Sequence, residues 1–79
     1  MEVNQDMQQI VANAFDVIAD RVRMYRKKQG LSQTELAELL ELTQAEVSLC
    51  EAKKRRVTLS VLIKLCLIFG ITPNELIQL

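Results

Sequence analysis

The sequence predicts an all-α domain, and three observations carry that prediction. Nearly half of its 79 residues are apolar, yet only two are Gly, one is Pro and three are aromatic, a balance poor in helix breakers and in strand formers. Apolar side chains recur at helical spacing. Three segments open with a hydroxyl residue standing three places before a glutamate: Ser32 and Glu35, Thr43 and Glu46, Thr72 and Glu75. In such a capping box the hydroxyl and the carboxylate satisfy free backbone N–H groups at a helix start.

Five elements follow in order. A first helix is expected over roughly residues 5 to 29, acidic early (Glu2, Asp6, Asp16, Asp20) and basic late, an order that suits the helix dipole. It stops at Gly30, which lacks the side chain that disfavours a left-handed C-cap. A second helix runs from about Gln33 to Leu40 and buries Leu36, Ala37 and Leu40, the small Ala37 allowing close approach of a neighbour. Leu42 plugs the turn, and a third helix from about Gln44 to Ala52 buries Val47 and Cys50. Thr58 or Ser60 caps a fourth, whose LSVLIKLCLIF run is apolar nearly all round and is expected to be buried centrally, ending at Gly70. Thr72, Pro73 and Glu75 open a fifth with Pro in its first position. A chain of this length holds one domain with a small core, and no linker or repeat divides it.

Two short helices separated by the three residues Glu41, Leu42 and Thr43 form the supersecondary geometry that carries the later helix into a DNA major groove. On that helix the open side chains are Gln44, Ala45, Ser48 and Leu49. The formal net charge is zero, which alone argues against a nucleic-acid partner, but the distribution argues for one. Nine of the ten basic residues fall in two clusters: Arg21, Arg23, Arg26, Lys27 and Lys28, then Lys53, Lys54, Arg55 and Arg56. The first cluster is read equally well as a solvated, dipole-matched helix end or as a DNA contact. The second directly follows the third helix, where the chain crosses the sugar-phosphate backbone, and four adjacent cations repel each other unless anions are near.

Other chemistry is not visible. There is no histidine, no Ser or Cys with a base beside it and no glycine-rich phosphate loop, so no enzyme activity and no cofactor are expected. Cys50 and Cys66 fall short of the four ligands zinc needs, so no metal is expected, and they read as small reduced core residues. A redox switch through Cys50 is the alternative. No run of about 18 uncharged apolar residues exists, so no membrane span is expected. The start of the chain lacks a basic patch before an apolar stretch, so no secretory signal is read and a cytoplasmic location is expected.

Residues 18 to 77, about three quarters of the chain, resemble the lambda Cro/CI-type (XRE family) helix-turn-helix DNA-binding domain. The family pattern is I-x-x-R-I-R-x-L-R-x-x-x-G-L-[ST]-Q-x-x-L-A, a turn, then [ST]-x-x-x-[IV]-S-x-x-E. It is met by Ile18, Arg21, Val22, Arg23, Tyr25, Arg26, Gly30, Leu31, Ser32, Gln33, Leu36, Ala37, Thr43, Val47, Ser48 and Glu51. The resemblance implies a five-helix, lambda-repressor-like fold around one core. It implies that Ser32, Gln33 and Thr43, at helix starts suited to anions, meet phosphates of double-stranded DNA. It further implies that Gln44, Ala45, Ser48 and Leu49 face base edges. Gln44 can pair with adenine N6 and N7 and Ala45 can touch a thymine methyl, which favours A/T steps. Arg26 and Glu51 match positions that form an ion pair between the first and third helices; two separate surface charges is the alternative.

Three positions depart from the pattern. Glu41 stands where the turn usually has glycine, so it is either left-handed, at a cost of about 1–2 kcal/mol, or the turn is altered. Glu46 on the third helix is read as a capping residue, with acceptance from cytosine N4 as the alternative. Val57 replaces a common proline.

Residues 1–17 are read as a helical extension of the 18–79 domain. Met7, Ile10, Val11, Ala14, Phe15, Val17 and Ile18 cover more than one helix face, and their surface needs a cover. A homodimer contact through Ile10, Val11, Ala14 and Phe15 is expected; folding back onto Leu67, Ile71, Ile77 and Leu79 is the alternative. The functional expectation is therefore a sequence-specific transcriptional regulator, most simply a repressor, binding a two-fold operator as a homodimer. The competing expectations are a protein-interaction module with a protein partner, or an antitoxin-like regulator, on the same scaffold.

Overall fold

A computed structural model describes residues 3–78, and they form five helices: α1 Val3–Lys28, α2 Gln33–Leu40, α3 Gln44–Glu51, α4 Leu59–Phe69 and α5 Pro73–Ile77. Leu79 and Glu2 lie outside the described residues.

Local chemistry sets these bounds. Ser32, Thr43 and Thr72 each cap a helix and complete a capping box with Glu35, Glu46 and Glu75, while Thr58 rather than Ser60 caps α4. The helix ends share one device. At the end of α1 the Leu31 N–H donates to Arg26 C=O and the Gly30 N–H to Lys27 C=O, both at 3.0 Å, with Gly30 at φ +71°. That is the double bond of a Schellman closure. Glu41 (φ 59°) and Lys53 (φ 65°) close α2 and α3 in the same way, and Gly70 (φ 67°) ends α4. Glu41 thus takes the left-handed option, and Lys53 is a second non-glycine residue in that strained region.

The core joins all five helices through Ile18 and Val22 of α1, Leu36, Ala37 and Leu40 of α2, Val47 of α3, Leu65, Cys66 and Phe69 of α4, and Leu76 of α5. Tyr25 stacks on Phe69 with ring centroids 5.5 Å apart, and Arg21 donates to the Glu75 carbonyl at 3.0 Å, tying α1 to α4 and α5. Leu42 and Leu31 pack half-buried against this core, and Cys50 is half-buried.

One expectation changes and one alternative is set aside. The fourth helix is not enclosed: Leu65, Cys66 and Phe69 are buried, but Leu59, Ile63 and Leu67 stay 73%, 50% and 77% exposed. Its neighbours α1, α2 and α5 pack on one side, and so few helices cannot surround it. The amino-terminal segment does not fold back either. Helix α1 runs unbroken through residue 17, Phe15 is half-buried against the core, and Met7, Ile10 and Val11 are exposed. Leu67 remains open rather than covered by that segment. A projecting arm accounts for a radius of gyration of 12.9 Å, against about 11.6 Å for a compact chain of this length.

Candidate nucleic-acid interface

The Glu41–Thr43 turn sets α3 against α2, and α3 presents Gln44, Ala45 and Leu49 as exposed side chains, with Ser48 half-buried beside them. The capping boxes satisfy the amides of Ser32, Glu35, Thr43 and Glu46, which leaves the first two helical amides of α2 and α3, with a positive dipole end, to face an anion. Ser32 and Thr43 are exposed at these starts, and Gln33 is half-buried.

A continuous chain of hydrogen bonds runs from α1 to the start of α3. The Arg26 guanidinium donates from Nε to Glu51 Oε2 at 2.7 Å and from Nη2 to Oε1 at 3.0 Å, while Nη1 donates to the Leu31 carbonyl at 2.9 Å. Gln33 Nε2 donates to the same Glu51 Oε1 at 3.2 Å, and Gln44 Nε2 donates to Gln33 Oε1 at 2.7 Å. Arg26 is 8% exposed. Its hydrogen bonds to Glu51 raise the guanidinium pKa above its ordinary value against the opposing effect of burial, so Arg26 stays charged in the frame. The result is that Gln44 is held by Gln33, Gln33 by Glu51, and Glu51 by Arg26. Sequence reasoning assigned Gln33 to phosphate and Gln44 to bases separately and missed the bond between them. The available signal was that each follows directly on its helix cap, in equivalent positions of two helices that meet at the turn.

The Lys53–Arg56 run is not a uniform cationic patch. Lys53 Nζ lies 3.3 Å from Asp20, Arg55 lies 3.5 Å from Glu46, and the Arg56 guanidinium sits 4.8 Å above the Phe15 ring. Among the described residues only Lys54 of the four has no such partner. Glu46 therefore serves two neighbours, accepting from the Thr43 N–H at 3.1 Å through Oε2 and pairing with Arg55 through Oε1. Its charge is offset within the chain, which reduces the repulsion a carboxylate on α3 would exert on phosphate.

Of the residues expected at a dimer contact, Ile10 and Val11 are exposed at 55% and 44%, Ala14 is half-buried, and Phe15 is turned inward under Arg56. Burial pushes the Cys50 thiol above its ordinary pKa, only partly opposed by Arg55, and burial does the same at Cys66. Both are therefore held as protonated thiols near neutral pH. Among the described residues no group of His, Cys, Asp and Glu is arranged to hold a metal ion, and no helix is long and apolar enough to cross a membrane.

Comparison with known proteins bears on the fold and the family. The helix-turn-helix family model matches residues 22–76. The control protein C.SmaI of Serratia marcescens is 44% identical over 48 residues, which are 61% of this chain and 57% of that protein, so the match spans little over half of that relative's length. The crystal structure of the restriction-modification controller protein C.AhdI from Aeromonas hydrophila superposes with a TM-score of 0.71 at 35% identity, covering 78% of this chain and 94% of that one. A hypothetical transcription factor, NHTF, from Neisseria gives 0.75 at 31% identity, covering 81% and 72%. With the matched model covering both helices of the motif and the ion-paired frame behind them, the chain belongs to the XRE-type helix-turn-helix family of DNA-binding transcription regulators.

Proposed function

We propose that the protein is a sequence-specific regulator acting in the cytosol, which binds double-stranded DNA as a homodimer on a two-fold operator and represses by blocking polymerase. The observation that carries this reading is the Arg26–Glu51–Gln33–Gln44 chain, because it holds a bidentate side chain at the start of α3 in one orientation before any ligand arrives. Pre-organisation of this kind suits reading of base edges. In this reading Gln44, Ala45, Ser48 and Leu49 face bases. Ser32, Gln33, Thr43 and Lys54 meet the backbone, and Lys53, Arg55 and Arg56 join them only by giving up their internal partners. The likeness to two proteins named as controllers, one of them of a restriction-modification system, supports a regulated promoter of that kind.

The test is equilibrium binding to DNA from upstream of the protein's own coding sequence, titrated over salt, for the wild type, Gln44→Ala and Lys54→Ala. Specific binding should weaken as salt rises. Gln44→Ala should lose preference at one base pair by about 1–3 kcal/mol, and Lys54→Ala should reduce the salt slope by about 1 without changing preference. A folded dimer that selects no DNA sequence would overturn the reading in favour of protein partnership.

A further inference from the structure

Two apolar faces of the described chain stand open. On the arm of α1, Met7, Ile10 and Val11 are 52%, 55% and 44% exposed and share one helix face with Ala14. On α4, Leu59, Ile63 and Leu67 recur at every fourth residue and are 73%, 50% and 77% exposed. The two faces have matching lengths, about 10 Å from Met7 to Ala14 and about 12 Å from Leu59 to Leu67 at the helical rise. Within one chain they do not meet.

We infer that they meet between two copies: the arm of each protomer lies along the Leu59–Ile63–Leu67 stripe of its partner, in a reciprocal pair of contacts. This rests on the homodimer reading above and specifies its geometry.

Charge favours this pairing over the alternatives. Residues 6–14 carry one carboxylate, Asp6, and no basic side chain, so arm against arm offers no opposite charge. Helix α4 carries one charge, Lys64, beside the stripe. Its only ion-pair partner among the described residues is Glu41, at 3.9 Å and with the Glu41 side chain 83% exposed, so the ammonium is free to turn to an acidic arm edge such as Asp6. Size points the same way. Stable interfaces draw on roughly 20–30 residues a side; either face paired only with itself supplies three or four apolar side chains, and the two together supply seven, the larger apolar centre for such an interface. The reciprocal arrangement engages both sets on both copies and leaves neither face open, and two-fold symmetry follows because each contact implies its mate.

The experiment uses two full-length variants altered only at exposed positions, Ile10→Gln with Val11→Gln for the arm and Leu59→Gln with Leu67→Gln for the stripe. Thermal melts establish that each is folded, and sedimentation equilibrium gives the dimer dissociation constant. Each variant alone should dimerise at least tenfold more weakly than wild type. An equimolar mixture should recover a heterodimer tighter than either variant homodimer, because the intact arm of one then meets the intact stripe of the other. An unaffected stripe variant would overturn the proposal in favour of arm against arm, and an unaffected arm variant in favour of stripe against stripe. Loss in both without recovery on mixing would show that the faces do not mate. A wild type that stays monomeric while binding its operator would instead remove the homodimer reading itself.

Discussion

Glu51 offers the sharpest test of how this domain sets the angle of α3. Replacing it with Ala removes the acceptor for two of the three Arg26 hydrogen bonds and leaves a guanidinium, 8% exposed, with only the Leu31 carbonyl. Stranding a buried charge costs about 3–5 kcal/mol. A domain of this size has roughly 4–12 kcal/mol in all, at about 0.05–0.15 kcal/mol per residue. Glu51→Ala should therefore lose a quarter of the stability or more, with the melting midpoint falling by about 12 °C or more. The pair as a whole is a different matter. Replacing both residues by Met removes the charge together with its partner and should be far less harmful than either single change, because the desolvation of two ions disappears with their attraction. The assay is urea and thermal unfolding followed by helical circular dichroism on wild type, Glu51→Ala, Arg26→Met, Glu51→Met and the double Met variant, the Met set read as a double-mutant cycle. The double variant should also bind DNA more weakly while remaining folded, since Gln33 loses its anchor. Single changes that each cost less than 1 kcal/mol and simply add would refute the reasoning and make the pair an ordinary surface contact.

Other outcomes follow from the same geometry. Gln33→Ala should relax base preference in the same direction as Gln44→Ala though it sits on another helix, measured by binding-site selection on both variants; unchanged preference would show that the 2.7 Å bond between them does not orient Gln44. Glu41→Gly should stabilise the fold by about 0.5–1 kcal/mol in urea unfolding, because glycine relieves the left-handed strain at φ 59° while the solvent-exposed ion pair with Lys64 contributes little. The Ser32 N–H and hydroxyl hold the Glu35 carboxyl below its ordinary pKa. The capping contribution is then fully present above the unfolded value, about 4.3, and is lost as pH falls through the lower folded value. Carboxyl NMR should find the Glu35 midpoint depressed in wild type and only partly restored in Ser32→Ala, which removes the hydroxyl but keeps the larger contributor, the backbone N–H. Both thiols should react slowly with a disulfide reagent at pH 7.5, Cys66 more slowly than Cys50, and rapid modification of the folded protein would reopen a redox role.

How much of this was legible in the sequence depends on the range of the forces involved. Helices α2, α3 and α5 start where their hydroxyl-to-glutamate spacing places them, because a capping box is closed within four residues and needs nothing from the rest of the chain. The Arg26–Glu51 pair was legible only through resemblance, since no local rule links positions on different helices. The exposed face of α4 was not legible at all. Its eleven residues have a mean composition that asks for burial, but which side is covered depends on how many helices are available to pack on it. The basic run shows the same limit most sharply. Written as a string, Lys53 to Arg56 is one block of like charge that calls for external anions. In the fold, the left-handed turn at Lys53 sends successive side chains in different directions, and they find Asp20, Glu46 and the Phe15 face within their own domain. Two of these partners lie on α1, far away in sequence, and the third serves as a cap. The cationic run is therefore less available than the string suggests: two of its four cations are paired with carboxylates of the domain and a third is stacked on Phe15, so, if the proposed function holds, the orientation of Gln44 matters beside attraction to phosphate.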